Sequence, residues 1–133
     1  MPGYSGTPLP KKLGIKEGFH VSLTDAPSEV IAVLKPSLET CKVKDGKTPL
    51  DFAMLFTTSR AGLRKNFTRV ALRLAPAGML WVSWPKKTSG VPTDLNENIV
   101  REIGLAAGLV DVKVCAVTDV WSGLKFVRRR KDR

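Results

Sequence analysis

Phe19-His20-Val21-Ser22-Leu23-Thr24 alternates apolar and polar side chains at period two, which predicts a strand with one buried face. Asp25-Ala26-Pro27-Ser28 punctuates it, and the apolar stretch from Glu29 to Leu34 then predicts a short helix. That helix is expected to stop at Lys35-Pro36, because proline disfavours helical backbone in the residue before it. Cys41-Lys42-Val43-Lys44 predicts a short edge strand, with Asp45-Gly46-Lys47 as its turn.

The segment Leu50 to Thr57 holds the continuous apolar run Phe52-Ala53-Met54-Leu55-Phe56, the pattern of a central parallel strand buried on both faces. Thr58 or Ser59 can cap the helix that follows. There Leu63, Phe67, Val70 and Leu74 recur at helical spacing, with Lys65, Arg69 and Arg73 on the opposite side. Ala75-Pro76-Ala77-Gly78 breaks this helix, and Met79-Leu80-Trp81-Val82-Ser83-Trp84 predicts another central strand. After the loop Pro85 to Thr93, Asp94 with Glu97 resembles a capping box, and Thr93 is an alternative cap. Ile99, Val100, Ile103, Ala106 and Ala107 line one helical face before Gly108 closes the helix. Val110 to Val117 and Leu124 to Arg128 predict two strands joined by a turn over Thr118 to Gly123. Strands alternating with helices and ending in a hairpin predict an α/β domain with a mostly parallel sheet and helices on both faces.

The length of 133 residues fits a single domain spanning 1–133, which buries about two-thirds of the surface of its unfolded chain without a disulfide or metal staple. Within it, residues 1–12 read as an extended N-terminal arm and 128–133 as a basic tail. Two cysteines, Cys41 and Cys115, and one histidine, His20, supply no metal-ligand cluster and no Ser-His-Asp arrangement. Residues Met1 to Lys12 lack the apolar core of a signal peptide. The longest apolar runs are far below the roughly 20 residues of a membrane span, so a cytoplasmic protein with no membrane partner is expected. Lysine and arginine number 22 against 12 acidic residues, a net charge of +10. That balance biases the chain towards polyanions and phosphorylated ligands.

The succession of elements resembles a shortened class I S-adenosylmethionine-dependent methyltransferase, a Rossmann-like three-layer sandwich whose seven-strand sheet ends in an antiparallel hairpin. Leu13-Gly14-Ile15-Lys16-Glu17-Gly18 resembles the approach to that family's cofactor strand. Leu72-Arg73-Leu74-Ala75-Pro76-Ala77-Gly78-Met79-Leu80 is similar to its helix-to-strand junction. The whole chain more closely resembles the small bacterial family catalogued as domain of unknown function 3052, through Tyr4-Ser5-Gly6-Thr7-Pro8-Leu9, Lys11-Lys12-Leu13-Gly14-Ile15, Trp81-Val82-Ser83-Trp84-Pro85-Lys86-Lys87 and Trp121-Ser122-Gly123-Leu124-Lys125. That family has no established activity to carry over.

The methyltransferase resemblance implies S-adenosylmethionine as cofactor, but the residues depart from it. A cofactor loop needs glycines after the first strand so that backbone can approach the ligand. Leu23-Thr24-Asp25-Ala26-Pro27-Ser28-Glu29 has none. Asp45 is the candidate for the acidic residue that holds the ribose hydroxyls, with a turn role beside Gly46 as its alternative. The stretch from Lys44 to Asp51 is too short for the family's next strand and helix, so one strand-helix unit is expected to be missing. No catalytic residue, metal or cofactor is therefore expected.

In open α/β sheets ligands bind beyond the carboxyl ends of the strands. That edge is expected to gather Thr24, Asp25, Thr58, Ser59, Arg60, Trp84, Lys86 and Lys87 into a site for a small anionic or nucleotide-like ligand. Lys65, Arg69, Arg73, Arg128, Arg129 and Arg130 are the candidates for contact with a polyanion such as nucleic acid, with Trp84 and Trp121 as stacking surfaces. The functional expectation is a non-catalytic ligand- or partner-binding or regulatory module. The alternatives are a methyltransferase with an altered pocket and a nucleic-acid-binding protein. Oligomeric state stays open.

Overall fold

A computed structural model describes residues 7–43 and 49–133. Six strands form one sheet: β1 (His20–Thr24), β2 (Lys42–Val43), β3 (Leu50–Phe56), β4 (Leu74–Pro85), β5 (Leu109–Ala116) and β6 (Trp121–Arg128). Their order is β2-β1-β3-β4-β6-β5. The first four are parallel, and β6 runs antiparallel to both β4 and β5. This is the mostly parallel sheet with a terminal hairpin that the chain predicts. It has six strands, with β2 at the edge where the shortened pattern leaves it.

Two cores flank the sheet. Helices α1 (Leu9–Leu13) and α2 (Ser28–Leu38) place Leu9, Leu13, Val30 and Leu34 against Val21, Phe52, Met54 and Trp81. Helices α3 (Arg60–Ala71) and α4 (Glu97–Ala106) cover the other face with Leu63, Phe67, Val70 and Val100 against Leu55, Leu80, Val82 and Phe126. Strand β3 has Phe52, Met54 and Phe56 in one core and Ala53 and Leu55 in the other, as its continuous apolar run requires.

Several expectations are corrected. Helix α1, Leu9–Leu13, takes in the last four residues of the expected arm 1–12, with Leu9 and Leu13 buried and Gly14 closing the turn at φ 91°. Residues 1–6 and the expected turn at Asp45-Gly46-Lys47, with Asp45's ribose role, lie outside the described residues. Helix α2 continues through Pro36 to Leu38. The hydrogen bond that Pro36 forfeits is the one to the Ala32 carbonyl, on an exposed turn of the helix.

Leu74 does not extend the α3 stripe; it opens β4, opposite Leu50. The register shifts between Leu50 and Phe52, and a side chain on Gly78 would overlap the Leu50 carbonyl oxygen, which is why glycine stands in that excursion. The hairpin turn is shorter than expected because Trp121, Ser122 and Gly123 already belong to β6. Thr118 Oγ1 organises it by accepting from the N–H groups of Val120 and Trp121, both at 3.1 Å. Gly123 is a packing residue, since a Cβ there would stand 2.9 Å from Val117 and 3.2 Å from Trp81.

Candidate functional site

Thr24, Leu55 and Val82 are level in the sheet, so β1, β3 and β4 end along one carboxyl edge. Thr24 ends β1, and Asp25 follows in a left-handed conformation at φ 56°. Helix α2 then starts behind Pro27 without a side-chain cap. Thr58, Ser59 and Arg60 join β3 to α3, while Lys86 and Lys87 leave β4 into a short 3-10 turn, Lys87–Ser89. The Lys86 N–H donates to the Val120 carbonyl at 2.7 Å, which fastens that exit to the β5–β6 turn.

The junction of β3 and α3 is closed by the chain's own groups. Ser59 caps α3, its Oγ accepting from Gly62 N at 3.0 Å. Asp94 Oδ1 accepts from Arg60 N at 2.8 Å, and the Asp94 carbonyl accepts from Arg60 Nε at 3.1 Å. Thr93 Oγ1 donates to the Thr58 carbonyl at 2.6 Å. A carboxylate supplied by the fold thus already sits at the positive end of α3. Because Thr93 and Asp94 serve this loop, α4 starts later than expected, at Asn96, whose Oδ1 accepts from Ile99 N at 2.9 Å. Asp94→Ala is expected to cost about 1 kcal/mol, the usual price of a lost cap, measured by urea unfolding of the two proteins.

Trp84 does not line the edge as a stacking surface: at 5% exposure it belongs to the core beside Val82, Leu95 and Leu124. Trp121 is half-buried and meets the Phe56 ring edge-on, with centroids 5.2 Å apart. The basic candidates also divide. Lys65 and Arg69 are exposed on α3, as are Arg129 and Arg130 near the C-terminal end. Arg128 belongs to β6 and donates from Nη2 to the carbonyls of Ala71 and Leu74 at 3.1 and 2.8 Å, which satisfies the C-terminal end of α3. Arg73 lies after α3, with its Nε and Nη2 buried and unpartnered.

A groove of about 490 Å³ opens between α3 and α4. The apolar face expected on α4 is wider than the core can cover. Val100 is buried, Ile99 and Ile103 are half-buried, and Ala106 and Ala107 are exposed. Periodicity marks such a face without saying what meets it, so the groove was not foreseen. The small side chains Ala106, Ala107 and Thr68 are the signal for it, since they leave the facing helix walls apart.

No protein family model and no curated protein matches the chain. Solved structures do. A SAM-dependent methyltransferase from Aquifex aeolicus is 16% identical, with a TM-score of 0.57 over 87% of this chain and 85% of that one. Magnesium protoporphyrin IX methyltransferase from Synechocystis PCC 6803, solved with bound SAH, is 12% identical with a TM-score of 0.57, covering 85% of this chain and 75% of that one. A SAM-dependent methyltransferase from Corynebacterium glutamicum is 11% identical with a TM-score of 0.56, covering 91% and 85%. The chain therefore has the Rossmann-like fold of SAM-dependent methyltransferases. At these identities the likeness establishes fold alone.

The carboxyl edge lacks the glycines with which a cofactor loop of this fold brings backbone close to its ligand. The β1–α2 turn has no glycine, and the residue at positive φ is Asp25, with an exposed side chain. Among the described residues no three histidine, cysteine or acidic side chains gather into a metal site. No described helix is long and apolar enough to cross a membrane.

Proposed function

We propose that this chain is a non-catalytic ligand- or partner-binding module built on the methyltransferase fold, and that it belongs with the bacterial family of domain of unknown function 3052. The observation that carries the proposal is the turn Thr24-Asp25-Ala26-Pro27-Ser28. A glycine loop lets a ligand reach backbone N–H groups at a helix N-terminus. Here Asp25 holds the left-handed position with a carboxylate attached, at the start of α2. That charge repels the carboxylate of S-adenosylmethionine where the helix would otherwise attract it. Side chains in place of glycines also keep the ligand away from the backbone.

Calorimetric titration of the full chain with S-adenosylmethionine and with its demethylated product tests this. The expected result is no saturable heat for either compound. Micromolar affinity for either would overturn the proposal and favour the altered-pocket methyltransferase in its place.

A further inference from the structure

The groove between α3 and α4 has the size and lining of a ligand site. Its volume of about 490 Å³ falls within the range of roughly 300–1,000 Å³ typical of small-molecule pockets. The apolar surface comes from Ile99, Ile103 and Ala106 on α4, with the buried Phe67 of α3 beneath it. Phe67 is locked edge-to-face on Phe126, centroids 5.3 Å apart, so this part of the floor is pre-formed. The α3 wall adds Arg60 and Arg64, one helical turn apart and therefore neighbours on the surface. Arg60 has its Nε engaged by the Asp94 carbonyl, and the Arg64 side chain has no hydrogen bond or ion pair among the described residues. Glu102, on the opposite wall, repels an anion from the α4 side and so directs it to the arginines.

We propose that this groove binds a small apolar molecule carrying an anionic head, with its body on Ile99, Ile103 and Ala106 and its head at Arg60 and Arg64. The charge asymmetry of the walls selects the sign of the head, and the aliphatic surface of α4 selects a hydrocarbon body. The site lies between α3 and α4, away from the β1–α2 turn, and stands whether or not that turn seats a cofactor.

The test uses the full ¹⁵N-labelled chain titrated with decanoate and with decyltrimethylammonium, both below their micellar concentrations, and follows amide shifts. Decanoate is expected to move the amides of Arg64, Phe67, Ile99 and Ile103 and to bind at least about tenfold more tightly than the cationic amphiphile. Arg64→Glu, at an exposed position, is expected to reverse that preference. Lys65→Glu makes the same change of net charge outside the groove and is expected to leave it in place. Ala106→Phe fills the groove and is expected to weaken decanoate binding by at least about tenfold. Equal affinity for the two amphiphiles, shifts centred elsewhere, an equal response to Arg64→Glu and Lys65→Glu, or no shifts at all would each overturn the proposal.

Discussion

Trp81→Ala is expected to lower stability by about 3–5 kcal/mol, a large share of the roughly 5–15 kcal/mol that holds a domain of this kind together. Trp81 is fully buried among Phe52, Met54 and Val117, and Gly123 leaves the space that its ring occupies. Truncation removes that packing and opens a cavity. It also removes the bond from Trp81 Nε1–H to the Leu13 carbonyl at 2.8 Å. Helix α1 has only five residues, too few to persist without tertiary support. The substitution should therefore release α1 before the sheet melts. Urea unfolding reports the first effect, and hydrogen exchange at Leu13 and Gly14 the second. Trp81→Phe separates the two, keeping a ring while leaving the Leu13 carbonyl unpaired. A loss below about 1 kcal/mol for the alanine variant would show that the α1 core relaxes around the gap.

Gly104→Ala is expected to destabilise by at least about 1 kcal/mol, although alanine ordinarily stabilises a helix interior by about that amount. Strand β6 meets α4 at this point, and a methyl group on residue 104 would overlap the Phe126 ring. Phe126 cannot swing aside freely, because Phe67 packs edge-to-face on it with the planes at 88°. The helix must lift or the aromatic pair must break. A second change, Phe126→Leu, should recover part of the loss in the double variant, a coupling that thermal denaturation of the four proteins measures. A rise in the melting temperature of Gly104→Ala would mean that α4 does not rest on β6 through this glycine.

The parts of the fold legible in the residues are those set by local patterns. The continuous apolar run of β3 marks a strand between two cores, Ser59 marks the start of α3, and Gly108, at φ 94°, marks the end of α4. The misreadings arise where a distant partner decides. Pro36 ends a helix on its own, yet α2 continues past it and packs Leu38 against the core. Gly123 suggests a turn until Trp81 is seen to need its space. Trp84 beside Lys86 suggests a stacking surface, but the parity of β4 turns its ring inward with Leu80 and Val82. Arg128 heads a basic run by composition and caps α3 by position, across 57 residues of sequence.

The absence of a glycine loop was readable directly, because it concerns one unbroken run of residues, Leu23 to Glu29. The groove was not, because it is a space between two helices and depends on how far apart their small residues hold them. Asp94 at the start of α3 is a similar case: it reads as a helix cap for its own segment and serves a neighbour instead.

The strand order carries a consequence for synthesis. Strand β6 follows β5 in the chain but lies between β4 and β5 in the sheet. As the chain leaves a ribosome, the parallel part of the sheet can assemble first, while β5 emerges with nothing to pair against. Strand β5 pairs with β6 alone, so its backbone has no strand partner until residues 121–128 have been added and slot into the gap. Completing the sheet in that order is an insertion, and Arg128 of the inserted strand then reaches the Ala71 carbonyl at the end of α3. A ribosome stalled short of that strand would hold an open sheet with two adhesive edges, which makes the interval a natural one for chaperone protection.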